Sequence, residues 1–282
     1  MALLGGRFDS WTSTFFRGIV GTTLCMIDAL FFKPRESYIW GKPENRRMLL
    51  LRGFLGGLTI SSAFFAVQAM DLAEASVLIF TAPLWTAVLS KAMGIGAWSK
   101  VDTCAAVACL VGMMMVTQPP FLVGGRESGK RTSFVGVVAA LFSAVTAAGV
   151  NITISKLKTE SASTITLYAM VGSIIVAFPG FCYHQMGPHG EHGLWHASVA
   201  VVAQLCLTGV LSTIAQLAKT SGLQMSKTFG VLVMRYLDIA FAFLWDLAFL
   251  HAALDALSVC GALIIVGGCV ASILLKKGGG GG

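Results

Sequence analysis

Residues 76–115 read SVLIFTAPLWTAVLSKAMGIGAWSKVDTCAAVACLVGMMM, and residues 231–268 read VLVMRYLDIAFAFLWDLAFLHAALDALSVCGALIIVGG. Laid over each other at an offset of 155 residues, Pro83 falls on Asp238 and Gly112 on Gly267. Each stretch is one hydrophobic segment, a short polar break and a second hydrophobic segment. Duplicated helical halves of this kind are a common ground plan of secondary transporters.

The rest of the 282-residue chain is built from the same material. Its mean hydropathy is +0.79 and only 12% of its residues are charged, outside the soluble globular class. A helix crosses a hydrocarbon core of about 30 Å with roughly 20 apolar residues. Nine stretches meet that requirement: 12–32, 48–68, 72–93, 101–118, 134–154, 164–184, 197–217, 228–250 and 254–275. None shows the period-two alternation of a membrane barrel. The expected fold is an all-α, multi-pass integral membrane protein, a helical bundle in the lipid bilayer. The seven cysteines lie within these spans without a CxxC pair and read as small packing residues.

Lys and Arg are divided unequally between alternate loops. Thirteen fall on the set that includes loop 33–47 and the C-terminus, four on the opposite set, and Arg17, Arg52 and Arg235 lie within spans. The positive-inside rule places loop 33–47 and the C-terminus in the cytosol. The net charge of +7 thus reports orientation in the membrane and points to no nucleic-acid partner. Span 12–32 maps by the offset onto about 167–187, near a span that crosses in the opposite direction, so the two halves are expected to be inverted repeats. Span 134–154 has no counterpart. The expected organisation is a first repeat at 12–118 lacking its first helix, an extramembrane linker at 119–133, a second repeat at 134–275 and a low-complexity tail at 276–282.

Three segments resemble a known family. LLLRGFLGGLTISSAFFAVQAMDLAEASVLIFTAPLWTAVLS at 49–90 is similar to the third and fourth helices of EamA-type members of the drug/metabolite transporter superfamily. There an arginine-glycine opens one helix, and a small acidic turn and alanines lead to a mid-helix proline. QPPFLVGG at 118–125 and AQLAKTSGLQMSKTFGVLVMRYLDIAFAF at 215–243 resemble the solute-carrier branch related to nucleotide-sugar transporters. The resemblance implies a ten-helix, five-plus-five inverted-repeat carrier with a central solute cavity. The chain departs from it by lacking the first helix and by carrying Gly96 where a glutamate is usual.

Ionisable side chains within spans are costly and are functional candidates by default. Arg235 and Asp238 lie three apart and share a helix face, able to bind an anion or to pair internally. Arg17 and Arg52 lie nearer their span ends, where each can face the cavity or snorkel to the interface. Asp71 and Glu74 read as a solvated outside turn, and Asp28 and Asp246 as interfacial. Pro83 is the expected kink and gate, with Gln68, Tyr168 and Gln216 among the polar and aromatic groups near the site. Gly53-Phe54-Leu55-Gly56-Gly57 and the Gly261/Gly268 face invite close helix packing, with a homodimer seam as the alternative. His189, His192 and His196 have a spacing open to zinc, though exposed histidines are the plainer reading. Asn151-Ile-Thr153 is a glycosylation sequon placed on the cytosolic side. There is no nucleotide-phosphate loop, no nucleophile–base pair and no redox motif, so neither an enzyme nor a cofactor or metal is expected. The functional expectation is a secondary transporter of a small polar, anionic metabolite by alternating access; the alternative is a non-transporting membrane scaffold or partner subunit.

Overall fold

A computed structural model describes residues 10–31, 40–94, 100–118, 133–186, 199–225, 229–241, 244 and 256–278. Among them there are helices and turns and no strand. The apolar runs form α1 (Ser10–Phe31), α2 (Arg46–Ala69), α3 (Leu72–Ile79), α4 (Ala82–Ala92), α5 (Lys100–Thr117), α6 (Phe134–Lys156), α7 (Ala162–Met186), α8 (Val199–Met225) and α9 (Ala256–Gly278). A 3₁₀ turn, Pro43–Asn45, leads into α2, and a longer 3₁₀ stretch covers Phe229–Tyr236. Seven helical segments among the described residues are long and apolar enough to cross a membrane, with α3 and α4 counting as one, and Ala256–Ser272 is a shorter apolar stretch. Span 228–250 departs from the continuous α-helix expected of it, since it begins as 3₁₀ and turns α-helical at 237. Asp246 and the three loop histidines lie outside the described residues.

The chain forms two compact units, one of residues 1–64 and 150–225, the other of 65–149 and 226–282. In the first, α1 runs antiparallel to α7. Trp11 lies against Gly180, Gly18 against Ile174 and Gly21 against Met170, and Phe15 stacks on Phe181 with ring centroids 4.4 Å apart. α1 and α7 are the helices that the 155-residue offset pairs, and they run in opposite directions. Beside them α2 runs parallel to α7, and glycines set the closeness. A Cβ on Gly172 would collide with the Gly53 carbonyl oxygen, and one on Gly57 would lie 2.7 Å from that of Gly172. The Gly53–Gly57 spacing is therefore filled from within the chain.

One end of this unit is tied together by Glu160, which is 8% exposed between α6 and α7. Its carboxylate accepts from the Lys42 backbone N–H at 3.1 Å and the Asn45 amide at 2.7 Å. Gln224, at the end of α8, donates from Nε2 to the Leu157 and Glu160 carbonyls, each at 2.8 Å. Three segments flanking the basic set of loops thus meet on one side. Nearby, Ser163 donates to the Asp28 carboxylate, joining α7 to the end of α1.

In the second unit the offset-related helices α5 and α9 pack antiparallel. A Cβ on Gly112 would lie 2.6 Å from the Gly261 oxygen, and the reverse distance is 2.5 Å. Gly268 faces Cys109, so the Gly261/Gly268 face serves packing within the chain. Ser272 donates to buried Asp102 at 3.0 Å at one end of the pair, and Gln118 donates to Ser258 at 3.2 Å at the other. Val77, Cys109, Met113, Val233, Tyr236 and Ile265 form the core between α3, α5, the 3₁₀ stretch and α9. On α6, Gly136 lies against Ala69 and Met70, and Ala144 and Ala147 pack on Ala82. Glu74 corrects the solvated-turn expectation: it is 4% exposed in the first turn of α3. All seven cysteines are free.

Two tests follow from this packing. Gly172→Ala should lower the thermal midpoint in detergent by an amount equivalent to about 1–3 kcal/mol of overpacking. Gly267→Ala, whose Cβ meets nothing within 4 Å, should leave it unchanged or raise it by up to about 1 kcal/mol. Glu160→Ala strands two donors and should cost about 1–3 kcal/mol, whereas Glu160→Gln keeps an acceptor and should cost less.

Candidate functional site

Proline has no N–H and collides with the preceding turn, so Pro83 was expected to kink span 72–93. The structure moves the interruption upstream. α3 ends at Ile79, Phe80 and Thr81 form a turn, and α4 restarts at Ala82 with Pro83 in its first turn. There the missing N–H would have lacked an intrahelical partner anyway. Thr81 Oγ1 donates back to the Leu78 carbonyl at 2.6 Å and closes the break.

The second repeat is interrupted at the equivalent place. The offset carries Phe80 onto Arg235 and Thr81 onto Tyr236, and Tyr236 is where the 3₁₀ stretch gives way to α-helix. The equivalent residues touch. Arg235 Cζ stands 5.1 Å from the Phe80 ring centroid, a cation–π contact. The Tyr236 ring lies 6.1 Å from that ring, and its hydroxyl donates to the Phe80 carbonyl at 2.8 Å. Away from water a carbonyl released by a helix break needs such a donor. Cys269 Sγ serves the Val233 carbonyl of the 3₁₀ stretch at 3.4 Å, and within the helical pair Cys109 Sγ reaches the Ile265 carbonyl at 3.5 Å. Two cysteines expected only to fill space are therefore also weak donors.

Asp238 is exposed, and its charge acts on half-buried Arg235. Pro83 is buried in the same unit. Gln68 is exposed near the end of α2. The remaining candidates belong to the other unit. Arg17, half-buried on α1, has an Nε that hydrogen-bonds to nothing among the described residues. Gln216 is half-buried on α8. Tyr168 donates its hydroxyl to the Trp40 carbonyl at 3.1 Å. Arg52 does not snorkel: it is 1% exposed, and its Nε and Nη1 lack hydrogen bonds among the described residues. Phe80 and Tyr236 were missed by sequence reasoning, although the offset that aligns Pro83 with Asp238 also aligns them with the opposite break. Among the described residues no group of three His, Cys, Asp or Glu is placed to hold a metal ion.

The EamA-like transporter family matches residues 1–118. The chain is 27% identical over 252 residues to human (Homo sapiens) solute carrier family 35 member G1, covering 86% of this chain and 66% of that protein. It is 27% identical over 261 residues to the pseudopaline exporter CntI of Pseudomonas aeruginosa, covering 91% of this chain and 84% of that one. A probable transport protein of Saccharomyces cerevisiae, YPL264C, is 20% identical, with 80% and 67% covered. A crystal structure with 16% identity superposes at a TM-score of 0.76, covering 96% of this chain and 91% of the other, and shows the same fold. Residues 1–118 thus match the EamA-like transporter family, and across most of its length the chain resembles transporters of the drug/metabolite superfamily, a solute carrier 35 protein among them.

Proposed function

We propose that this protein is a transmembrane secondary transporter that moves a small polar, anionic metabolite by alternating access. The observation that carries the proposal is the contact of Arg235 with Phe80 where both repeats interrupt their helices. A guanidinium seated on a ring keeps planar N–H donors with which it can grip a carboxylate or phosphate bidentately. Broken helices near the midplane are where carriers of inverted-repeat design hold their solute. Asp238 would hold Arg235 when the solute is absent, and Pro83 would keep the break in place. Arg17, with its unsatisfied Nε, is proposed as a further anion-binding group on that ground. The relatives support the class of activity, being named as a solute carrier, an exporter and a probable transport protein. Their solutes are not carried over.

The side tied by Glu160, Asn45 and Gln224 is proposed to be cytosolic, because the loops meeting there belong to the Lys- and Arg-rich set.

The solute class can be read from thermal unfolding of the detergent-purified protein against panels of anionic and cationic metabolites. A ligand of the folded state at 100 times its dissociation constant adds about 2.7 kcal/mol. One anion class should raise the midpoint, Arg235→Ala should abolish the rise and Arg235→Lys should keep part of it. Stabilisation by cations alone, or full stabilisation of Arg235→Ala, would refute the anionic assignment. A C-terminal green fluorescent reporter should fluoresce, as it does in the cytosol; a dark, fully expressed fusion would reverse the orientation.

A further inference from the structure

On α2, Leu50 lies four residues after Arg46 and three after Arg47, while Gly53 and Phe54 lie seven after Arg46 and Arg47 respectively. They therefore share one face of the helix. The apolar part of that face borders a groove of about 260 Å³ against α7. Leu50 and Phe54 form one wall, Val171, Ile175 and Val176 the other. The floor is backbone, because the close approach of Gly53 and Gly172 leaves no side chain to fill it. Leu50, Phe54 and Ile175 are 62%, 58% and 65% exposed, so the groove lies open along its length.

A polar metabolite is a poor match for this groove. Its volume falls below the roughly 300–1,000 Å³ of ordinary small-molecule pockets, and the Tyr168 hydroxyl, the one polar side-chain group in its lining, already serves the Trp40 carbonyl. A hydrocarbon chain suits it. At 24 residues α2 is about 36 Å long, beyond the roughly 30 Å of a hydrocarbon core, so its first turn reaches the headgroups. Arg46 and Arg47 are exposed in that turn, one turn from Leu50, with exposed Lys42 and a single acid, Glu44, just before them. Trp40 and Tyr168 stand at the same level, as aromatic residues do at membrane interfaces.

We infer that this groove binds one acyl chain of an anionic phospholipid from the leaflet on that side, with the lipid phosphate held by Arg46 and Arg47. The inference is independent of the transported solute. The glycine floor provides the channel, and the basic turn at its mouth selects the headgroup through charge that a zwitterionic lipid cannot match.

The test is native mass spectrometry of the purified protein titrated with phosphatidylglycerol or phosphatidylcholine of the same chains, with inorganic phosphate in a parallel thermal-shift series. The wild type should retain phosphatidylglycerol roughly tenfold more readily than phosphatidylcholine. Arg46→Gln/Arg47→Gln should erase that preference while leaving phosphatidylcholine retention and the thermal midpoint in neutral lipid unchanged. Ile175→Trp, which fills the groove from its open side, should reduce retention of both lipids. Equal retention of the two lipids by the wild type, or an undiminished preference in the double arginine variant, would overturn the inference. So would stabilisation by inorganic phosphate equal to that by the lipid, which would mark a free-anion site. A dimer whose mass halves in Ile175→Trp would assign the groove to a second copy of the chain instead.

Discussion

In hydrocarbon a backbone carbonyl without a hydrogen-bond donor is among the costliest groups a protein can leave exposed, and that constraint governs where this chain can depart from the α-helix. The second unit departs from it twice, at Phe80–Thr81 and along Phe229–Tyr236. In each case side chains take over backbone bonding: the Tyr236 hydroxyl reaches the Phe80 carbonyl, Thr81 reaches Leu78, and Cys269 reaches Val233. The breaks are thus held by neighbours on α9 and by each other, and Arg235 gains a position it could not take on an uninterrupted helix lying against lipid.

Polar side chains and glycine carry most of the directed contacts elsewhere. Water drives apolar surfaces together in a soluble core, but lipid tails are as apolar as leucine, and close packing must supply the attraction. Offset-related helices meet antiparallel in both units, α1 with α7 and α5 with α9, and in each pair glycine lets the backbones approach. At the helix ends, buried acids bind several segments at once. Glu160 joins three, and Asp102 joins α5 to α9.

The all-helical, membrane-spanning character and most of the spans were legible in the sequence, because hydropathy reports on the bilayer directly, and the helices paired by the 155-residue offset do pack antiparallel in each unit. The candidate site was legible only in part. Arg235, Asp238 and Pro83 stood out because charge and proline are rare in such helices. Phe80 and Tyr236 did not, since an aromatic residue in an apolar run carries no signal until its partner is known. The exact point of the break was hidden too: Pro83 signals one nearby, but a proline is best accommodated just after it, in a first turn. Glu74 and Glu160 look like loop acids by position, and only folding shows them covered. Arg52 lies close enough to a span end to reach water, yet its side chain is enclosed.

The meeting of Phe80 with Arg235 has a consequence for the two halves. Equivalent residues that face each other across the axis of an exactly duplicated protein are necessarily identical. Two arginines there would repel each other out of water, and two phenylalanines would offer no charge to an anion. A cation resting on a ring at that point requires the two offset-related positions to carry different residues. Two stretches that the 155-residue offset makes counterparts thus meet through side chains that differ, a ring on one and a cation on the other.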